Sequence, residues 1–531
     1  MAKLRRGGHD PVKVYAGLKA AVEHTGGPSV VLVHTIKGYG LASAEGRNSA
    51  HQQKSLKAED LTTFFERFGL NAPRADELGH WYLHPGPDSE EVKYLKERRH
   101  QLGGPIPRRV VESPALPAPT LESLAPFLED SKGREVSTTM AFVRLLSQLL
   151  KDKALGKLVV PIVPDESRTF GMEALFGQIG IYSAVGQLYE PIDKKSVTPY
   201  REAKNGQYLQ EGISEAGGLC SWIAAGTAYA THATPTVPFF VFYSMFGFQR
   251  VMDLIWSGAD ARVRGFLMGA TAGRTTLNGE GLQHEDGHSL LLASAVPHCK
   301  AYDPAFGYET AVIVRDGLRR MYEAGEPGFY YITLYNENYA MPAMPEGSHD
   351  GILAGMYLVK AAAGGDPKTR PQLLGSGSIL RQVLAAQELL AARGVHADVW
   401  SVTSYSELAR DANACERWNR LHPGVPAKTP YVARALAGRR GPFVASSDWV
   451  RLVSEQVRPW IPGSYTVLGT DGFGRSDTRA ALRRHFEIDA EHVVVATLSA
   501  LAAEGRLKPA DVAAAIKELG VKPDSPDPAT A

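Results

Sequence analysis

Val237-Pro238-Phe239-Phe240-Val241-Phe242-Tyr243 is an apolar run of aromatic and β-branched residues that stops at Ser244-Met245-Phe246-Gly247. Strand propensity explains the run. Three similar strand-like runs flank it, at Leu158–Val163, Gly265–Met268 and Tyr330–Leu334. Helical segments are predicted between them, at about Gly212–Thr231 and Pro304–Tyr322. Ser137 reads as the N-cap of a further helix that carries Met140, Val143 and Leu150. Strand and helix alternating over roughly 200 residues predicts an α/β fold, a mainly parallel sheet with helices on both faces. A third block starts near residue 351, with predicted strands Gln372–Leu374, Asp398–Val402, Phe443–Ala445 and Val493–Ala496 and helices Leu380–Ala392 and Ala480–His485.

Toward the N-terminus the same grammar recurs. Asp10-Pro11 reads as an N-cap with proline at the first helical position, and Val14, Leu18, Ala21 and Val22 fall on one helical face. Gly26-Gly27-Pro28 stops that helix, and Val30-Val31-Leu32-Val33 reads as a strand buried on both faces. A domain rarely opens on a last helix and strand, so this region is expected to be the tail of a domain whose front lies outside the chain. A glycine-rich polar loop, Lys37 to His51, follows. Residues 52–100 are charged and read as mostly helical, and Pro105, Pro107, Pro114, Pro117, Pro119 and Pro126 mark a linker. The expected division is 1–60 (remnant and loop), 61–134 (helical and proline-rich linker), 135–350 (middle domain) and 351–531 (C-terminal domain). The proline-rich tail Lys522–Ala531 is expected to be disordered.

Length and composition bound the function. The 531 residues suffice for about three domains. The net charge of +1 rules out a general polyanion-binding surface as the main business, so no nucleic-acid partner is expected. Cys220, Cys299 and Cys415 are scattered, with no CxxC pair, which points to a reducing, cytoplasmic setting and away from structural zinc. The densest apolar stretch, Val237–Phe248, is too short to span a bilayer, so no membrane association is expected.

Four segments place polar residues where a purely structural sequence needs none. The loop from His34 to His51 follows a predicted strand end, where open α/β sheets place ligands; a solvated surface turn is an equally good account. Glu215 stands in the first turns of an Ala/Gly-rich helix, and taken alone a charge compensating the helix dipole is the commoner reason for it. Aromatics continue past the strand to Phe246 and Phe248, beside a glycine and an arginine, and can wall a flat ring, although core packing is the commoner cause. The loop Gly273–Ser289 crowds His284, His288, Glu280, Glu285, Asp286 and Arg274 together. The four-residue spacing of its histidines lacks the helix that a zincin pair requires, and no metal ligand is assigned in this chain.

Together these motifs are specific. The loop HTIKGYGLASAEGRNSAHQ, the helix LQEGISEAG, the strand end YSMFGFQR, the loop GRTTLNGEGLQHEDGHS, YNENYAMPAMPEG, LGSGSILRQV and VLGTDGFGRSD closely resemble the homodimeric-type first component of the pyruvate dehydrogenase complex. That family depends on thiamine diphosphate and is related to transketolase. The resemblance runs from about Lys3 to about Gly520. It implies a thiamine diphosphate-binding fold with a transketolase-like middle domain, and the oxidative decarboxylation of pyruvate with reductive acetylation of a lipoyl group on dihydrolipoamide acetyltransferase. Glu215 matches the family's glutamate at the aminopyrimidine ring nitrogen, and dry Ala/Gly surroundings are expected to raise its carboxyl pKa. Phe246 matches the residue that stacks on that ring, with Tyr243 nearby. His51 and His284 match active-site histidines, and Lys37 and Glu45 match loop and substrate-site residues.

One departure stands out. Relatives hold the diphosphate and Mg²⁺ with a Gly-Asp-Gly motif followed by an asparagine, and this sequence has none, so those ligands are expected outside the chain. Two functions of different class stay open. The chain is one half of a split enzyme, active when a separate chain supplies the diphosphate domain, or it is a truncated, catalytically silent fragment or assembly partner; its expected partner is a second copy in a homodimer or the chain with the missing diphosphate domain. Transketolase itself is a third reading, which the loops SAEGRNSAHQ and NGEGLQHEDGH fit less well.

Overall fold

The computed structural model describes residues 7–71, 85–104, 113–165, 167–192 and 194–531. Pro105, Pro107 and part of the helical reading, 72–84, lie outside these residues. The chain divides into two compact units, Met1–Arg108 and Arg109–Ala531.

In the first unit, Asp10 caps the helix Pro11–Glu23 as expected, its carboxylate accepting from the Val12 and Lys13 amides at 3.1 and 3.2 Å. No residue of that helix is buried. The reading of Val30–Val33 as a buried strand is corrected: the segment pairs with no strand among the described residues, and Val30 and Leu32 are 83% and 92% exposed. A strand is made by its neighbours, and the described residues of this unit supply none. The 52–100 region holds the helices Ala58–Arg67 and Glu90–Gln101.

The second unit is built on two sheets. The first has six strands in the order Leu209–Gln210, Val159–Val163, Val237–Tyr243, Phe266–Ala270, Phe329–Thr333 and Cys299–Tyr302. All of its pairs are parallel. Val237–Phe242 is buried throughout, because helices cover the sheet on both sides. The second sheet runs Tyr357–Lys360, Asp398–Ser401, Gln372–Gly375, Phe443–Ser446 and Tyr465–Leu468, parallel except for its first pair.

Ser137 caps the helix Thr138–Leu149 through its hydroxyl, 3.1 Å from the Met140 amide. The predicted strand Val493–Ala496 is corrected: it lies inside the helix Ala490–Ala503, which Asp489 caps. Its buried residues, Ala490, Val493, Val494, Thr497, Leu498 and Leu501, recur at three- and four-residue spacing, and that periodicity outweighs β-branched propensity. The tail does not run free: the Arg475 guanidinium donates to the Ala531 carbonyl at 2.6 Å, and Pro528 sits so close to Gly472 that a Cβ there would clash.

The two sheets share buried polar contacts. Asp303, at the end of the strand Cys299–Tyr302, accepts from Thr333 and Tyr335 of the first sheet's side at 2.6 and 2.5 Å and from the Trp449 indole of the second at 2.9 Å. Burial raises its pKa, and these donors hold it back.

Candidate active site

Glu215 is the first residue of the helix Glu215–Thr231, which Ser214 caps by accepting the Gly217 amide at 3.1 Å. Its carboxylate is nearly buried at a helix N-terminus, where negative charge is favourable. It has a side-chain partner across the helix pair. One amino group of Arg250 donates to both of its oxygens, at 3.2 and 3.1 Å. The small residues of the helix serve the sheet: a Cβ on Gly218 would lie 2.6 Å from the Phe240 ring, so glycine there is what lets the helix pack on the central strand.

The Arg250 guanidinium also lies over the Phe246 ring, 3.8 Å from its centroid. Phe246 and Tyr243 stand 5.8 Å apart at the end of the strand Val237–Tyr243. The His284 ring sits 4.8 Å from Tyr243 and 5.3 Å from Phe246. Glu215, Arg250, Phe246, Tyr243 and His284 therefore form one chain of contacts, although sequence separates the first from the last by a whole strand–helix–strand unit. His288 turns elsewhere, its Nε2 2.8 Å from the Gln249 amide oxygen. A cavity of about 480 Å³, lined in part by Phe127, Arg134, Arg144 and Met341, includes none of these site residues.

Lys37, Glu45 and His51 belong to the first unit. Lys37 Nζ lies 2.5 Å from His51 Nδ1. Glu45 accepts the Gly40 amide at 3.1 Å and forms an ion pair with Arg67, and the Arg67 hydrogen bond holds its carboxyl below the ordinary value. His9, from the turn that precedes the first helix, stacks on Tyr39 of this loop at 3.8 Å.

Residues 112–342 match the family model of the pyruvate dehydrogenase E1 component middle domain, and residues 355–489 match a transketolase-like TK C-terminal domain. Over nearly its whole length the chain is similar to pyruvate dehydrogenase E1 components. It is 56% identical over 531 residues to the pyruvate dehydrogenase E1 component of Pseudomonas aeruginosa, covering 99% of this chain and 60% of that protein. It is 51% identical to that of Escherichia coli K12, covering 99% of this chain and 59% of the relative. The chain thus spans about three fifths of the length of these relatives. Among solved structures it is similar to transketolase from Campylobacter jejuni, with a TM-score of 0.62 and 17% identity over 92% of this chain and 66% of that one, a likeness of fold alone.

Pyruvate dehydrogenase E1 and transketolase-like enzymes generally use thiamine diphosphate. The residues present fit its aminopyrimidine end. A planar, nitrogen-rich group is already held here, since the guanidinium donates to Glu215 and stacks on Phe246. An aminopyrimidine offers the same two features, a ring nitrogen for a carboxylate and a flat face for an aromatic ring. Among the described residues no cluster of three or more His, Cys, Asp or Glu can hold a metal ion, and no helix is long and apolar enough to cross a membrane.

Sequence reasoning missed Arg250 as the partner of Glu215, and Arg67 as the partner of Glu45. For Arg250 a signal existed: it follows Phe246 by four residues, a spacing that places two side chains together on a helix. For Arg67 there was none, because the tertiary fold of the loop brings it to Glu45.

Proposed function

We propose that this chain carries the pyrimidine-binding and C-terminal parts of a thiamine diphosphate-dependent enzyme that oxidatively decarboxylates pyruvate and passes the acetyl unit to the lipoyl group of dihydrolipoamide acetyltransferase. The observation that carries the reading is the single planar cation shared by Glu215 and Phe246. Thiamine diphosphate, when bound, supplies the nucleophilic carbon that attacks the 2-oxo acid. Glu215 holds the proton at the aminopyrimidine ring nitrogen, and Phe246 and Tyr243 hold the ring plane. His284 and His51 are the acid–base groups for substrate and lipoyl sulfur, since an imidazole titrates near neutral pH. Lys37 and Glu45 order the loop that carries His51. The ligands of the diphosphate and Mg²⁺ come from residues other than those of this chain, in a Gly-Asp-Gly domain. The working division of the chain is 1–60, 61–134, 135–350 and 351–531.

A second reading, an assembly partner silent on its own, is favoured by the apolar face of the first unit. Val12, Tyr15, Val22 and Leu32 are 75%, 63%, 84% and 92% exposed, a surface that suits a protein partner. Turnover of pyruvate with a dye acceptor, thiamine diphosphate and Mg²⁺ separates the readings. The chain alone is expected to be nearly silent. Adding a chain that carries a Gly-Asp-Gly diphosphate domain is expected to restore turnover, and Glu215→Ala to remove most of it. Failure of reconstitution, or full activity of Glu215→Ala, overturns the catalytic reading.

A further inference from the structure

The loop that carries His284 is pinned to the second sheet by its neighbour. Glu285 is 1% exposed, and its Oε2 accepts the Arg475 amide at 2.6 Å. Its Oε1 has no hydrogen-bond partner among the described residues. Gly474 lies directly against it: a Cβ there would sit 2.8 Å from Glu285 Cβ and 2.9 Å from Oε2. Two further contacts complete the seam. Arg274, 4% exposed, donates to the Thr470 carbonyl and to the Gly472 carbonyl, the latter at 2.6 Å, and the Val450 amide donates to the Gly287 carbonyl at 2.7 Å. Asp286 accepts the His288 and Ser289 amides at 3.0 Å through Oδ1, while its buried Oδ2 has no hydrogen-bond partner among the described residues.

We propose that Glu285 is a positioning residue for His284, a proton-operated fastener between residues 282–287 and residues 470–475 that holds while its carboxyl is protonated and loosens when it ionises. The proposal rests on the reading of His284 as a site residue. Several charged groups bear on the Glu285 carboxyl. Arg274, on the segment after the strand Phe266–Ala270, favours ionisation, and Asp448, after the strand Phe443–Ser446, opposes it. Arg475 and Asp471 stand on the segment after Tyr465–Leu468, and Asp471 bears on the Arg274 guanidinium. His284 and Asp286 flank Glu285 on its own loop. Burial outweighs the Arg475 hydrogen bond and the Arg274 charge, and pushes the Glu285 carboxyl from 4.5 up to about 7.

The sign follows from linkage. The closed seam binds the proton more tightly than an opened, solvated loop, whose carboxyl keeps its ordinary value. Raising the pH from the open-state value toward the closed-state value therefore favours opening, and above the closed-state value the effect levels off. Between pH 6 and 8 the opening equilibrium is expected to rise about tenfold.

The Arg475 amide reports this directly, because Glu285 is its acceptor. Hydrogen exchange of the full chain is followed at this amide from pH 6 to 8, for wild type and for Glu285→Gln. Glutamine keeps an acceptor oxygen but cannot ionise. At each pH the ratio of the two rates cancels base catalysis. A ratio that climbs about tenfold across this range supports the fastener, and a constant ratio overturns it. Should the variant fail to fold, the wild-type Arg475 rate is normalised to the Val402 amide, which donates to Gly375 inside the second sheet at 2.8 Å, with the same two outcomes. The C2 proton of His284 is expected to sense the same titration in wild type and to lose it in Glu285→Gln, which a merely structural role for Glu285 would not produce. Neither measurement needs cofactor. A flat exchange profile therefore overturns the fastener alone, while undiminished turnover by reconstituted His284→Ala would overturn the site reading alone.

Discussion

Arg250 offers the sharpest test of the site geometry. Its guanidinium makes two separable contacts, an ion pair with Glu215 and a stack on Phe246. The Arg250 side chain is 49% exposed and that of Glu215 is 11% exposed, so the pair is half screened by water. A pair of that kind is worth about 1 kcal/mol, and the stack adds about 0.5–1 kcal/mol. Arg250→Met keeps the apolar stem and removes both contacts, and is expected to cost about 1.5–2 kcal/mol. Glu215→Gln removes only the ion pair. In a double-mutant cycle the coupling between the two is therefore about 1 kcal/mol, and the remainder of the Arg250→Met cost belongs to Phe246. Urea unfolding followed by tryptophan fluorescence suits the measurement, because Trp222 is fully buried within the helix that Glu215 begins. Raising the salt to about 1 M should shrink the coupling while leaving the Phe246 share in place. A coupling near zero at low salt would show that the pair does not form in solution, and the shared-cation argument for the site would fall with it.

Two further outcomes follow from other contacts. Trp449→Phe removes one donor from buried Asp303 while keeping an aromatic ring, and should destabilise the second unit by about 1.5–3 kcal/mol; thermal unfolding indistinguishable from wild type would contradict the shared polar seam between the sheets. In the first unit the Arg67 contact depresses the Glu45 pKa, so it stabilises the loop above the ordinary carboxyl value of 4.5 and is lost as pH falls below it. Hydrogen-exchange protection of the Gly46 amide, which donates to the Lys37 carbonyl at 2.9 Å, should be flat between pH 6 and 8 and fall at acid pH, with Arg67→Ala removing that dependence.

The strands legible in the sequence were those buried on both faces. Val159–Val163, Val237–Tyr243, Phe266–Ala270 and Phe329–Thr333 lie within two residues of where their apolar runs place them, because a strand covered by helices on both sides needs no polar alternation. Shorter or edge strands escaped. Tyr357–Lys360 and Tyr465–Leu468 are partly exposed four-residue strands, and Cys299–Tyr302 carries Lys300 in its middle. Val493–Val494–Val495 misled because composition was weighed above spacing. Val30–Val33 misled for a different reason: its composition suits a buried strand, but pairing depends on neighbours that a local pattern cannot supply.

The parallel α/β class and the polar residues set into its apolar scaffold are legible in the sequence alone. Glu215, Tyr243, Phe246 and His284 each stand beside a strand end or a helix start, where polar side chains on an apolar scaffold are informative. What these residues touch depends on the packing of segments far apart in the chain. Arg250 was visible four residues beyond Phe246, yet its choice of Glu215 as partner depends on how two helices approach over the central strand. Gly218 gives the Phe240 ring room against the helix, a contact that no local pattern shows. Glu285 read as one more acid in a polar loop; burial against Gly474, contributed by the other sheet, is what raises its pKa and makes its proton matter. Local pattern records which side chains the chain offers, while desolvation and pairing arise from segments far apart in sequence, and those two effects set the chemistry.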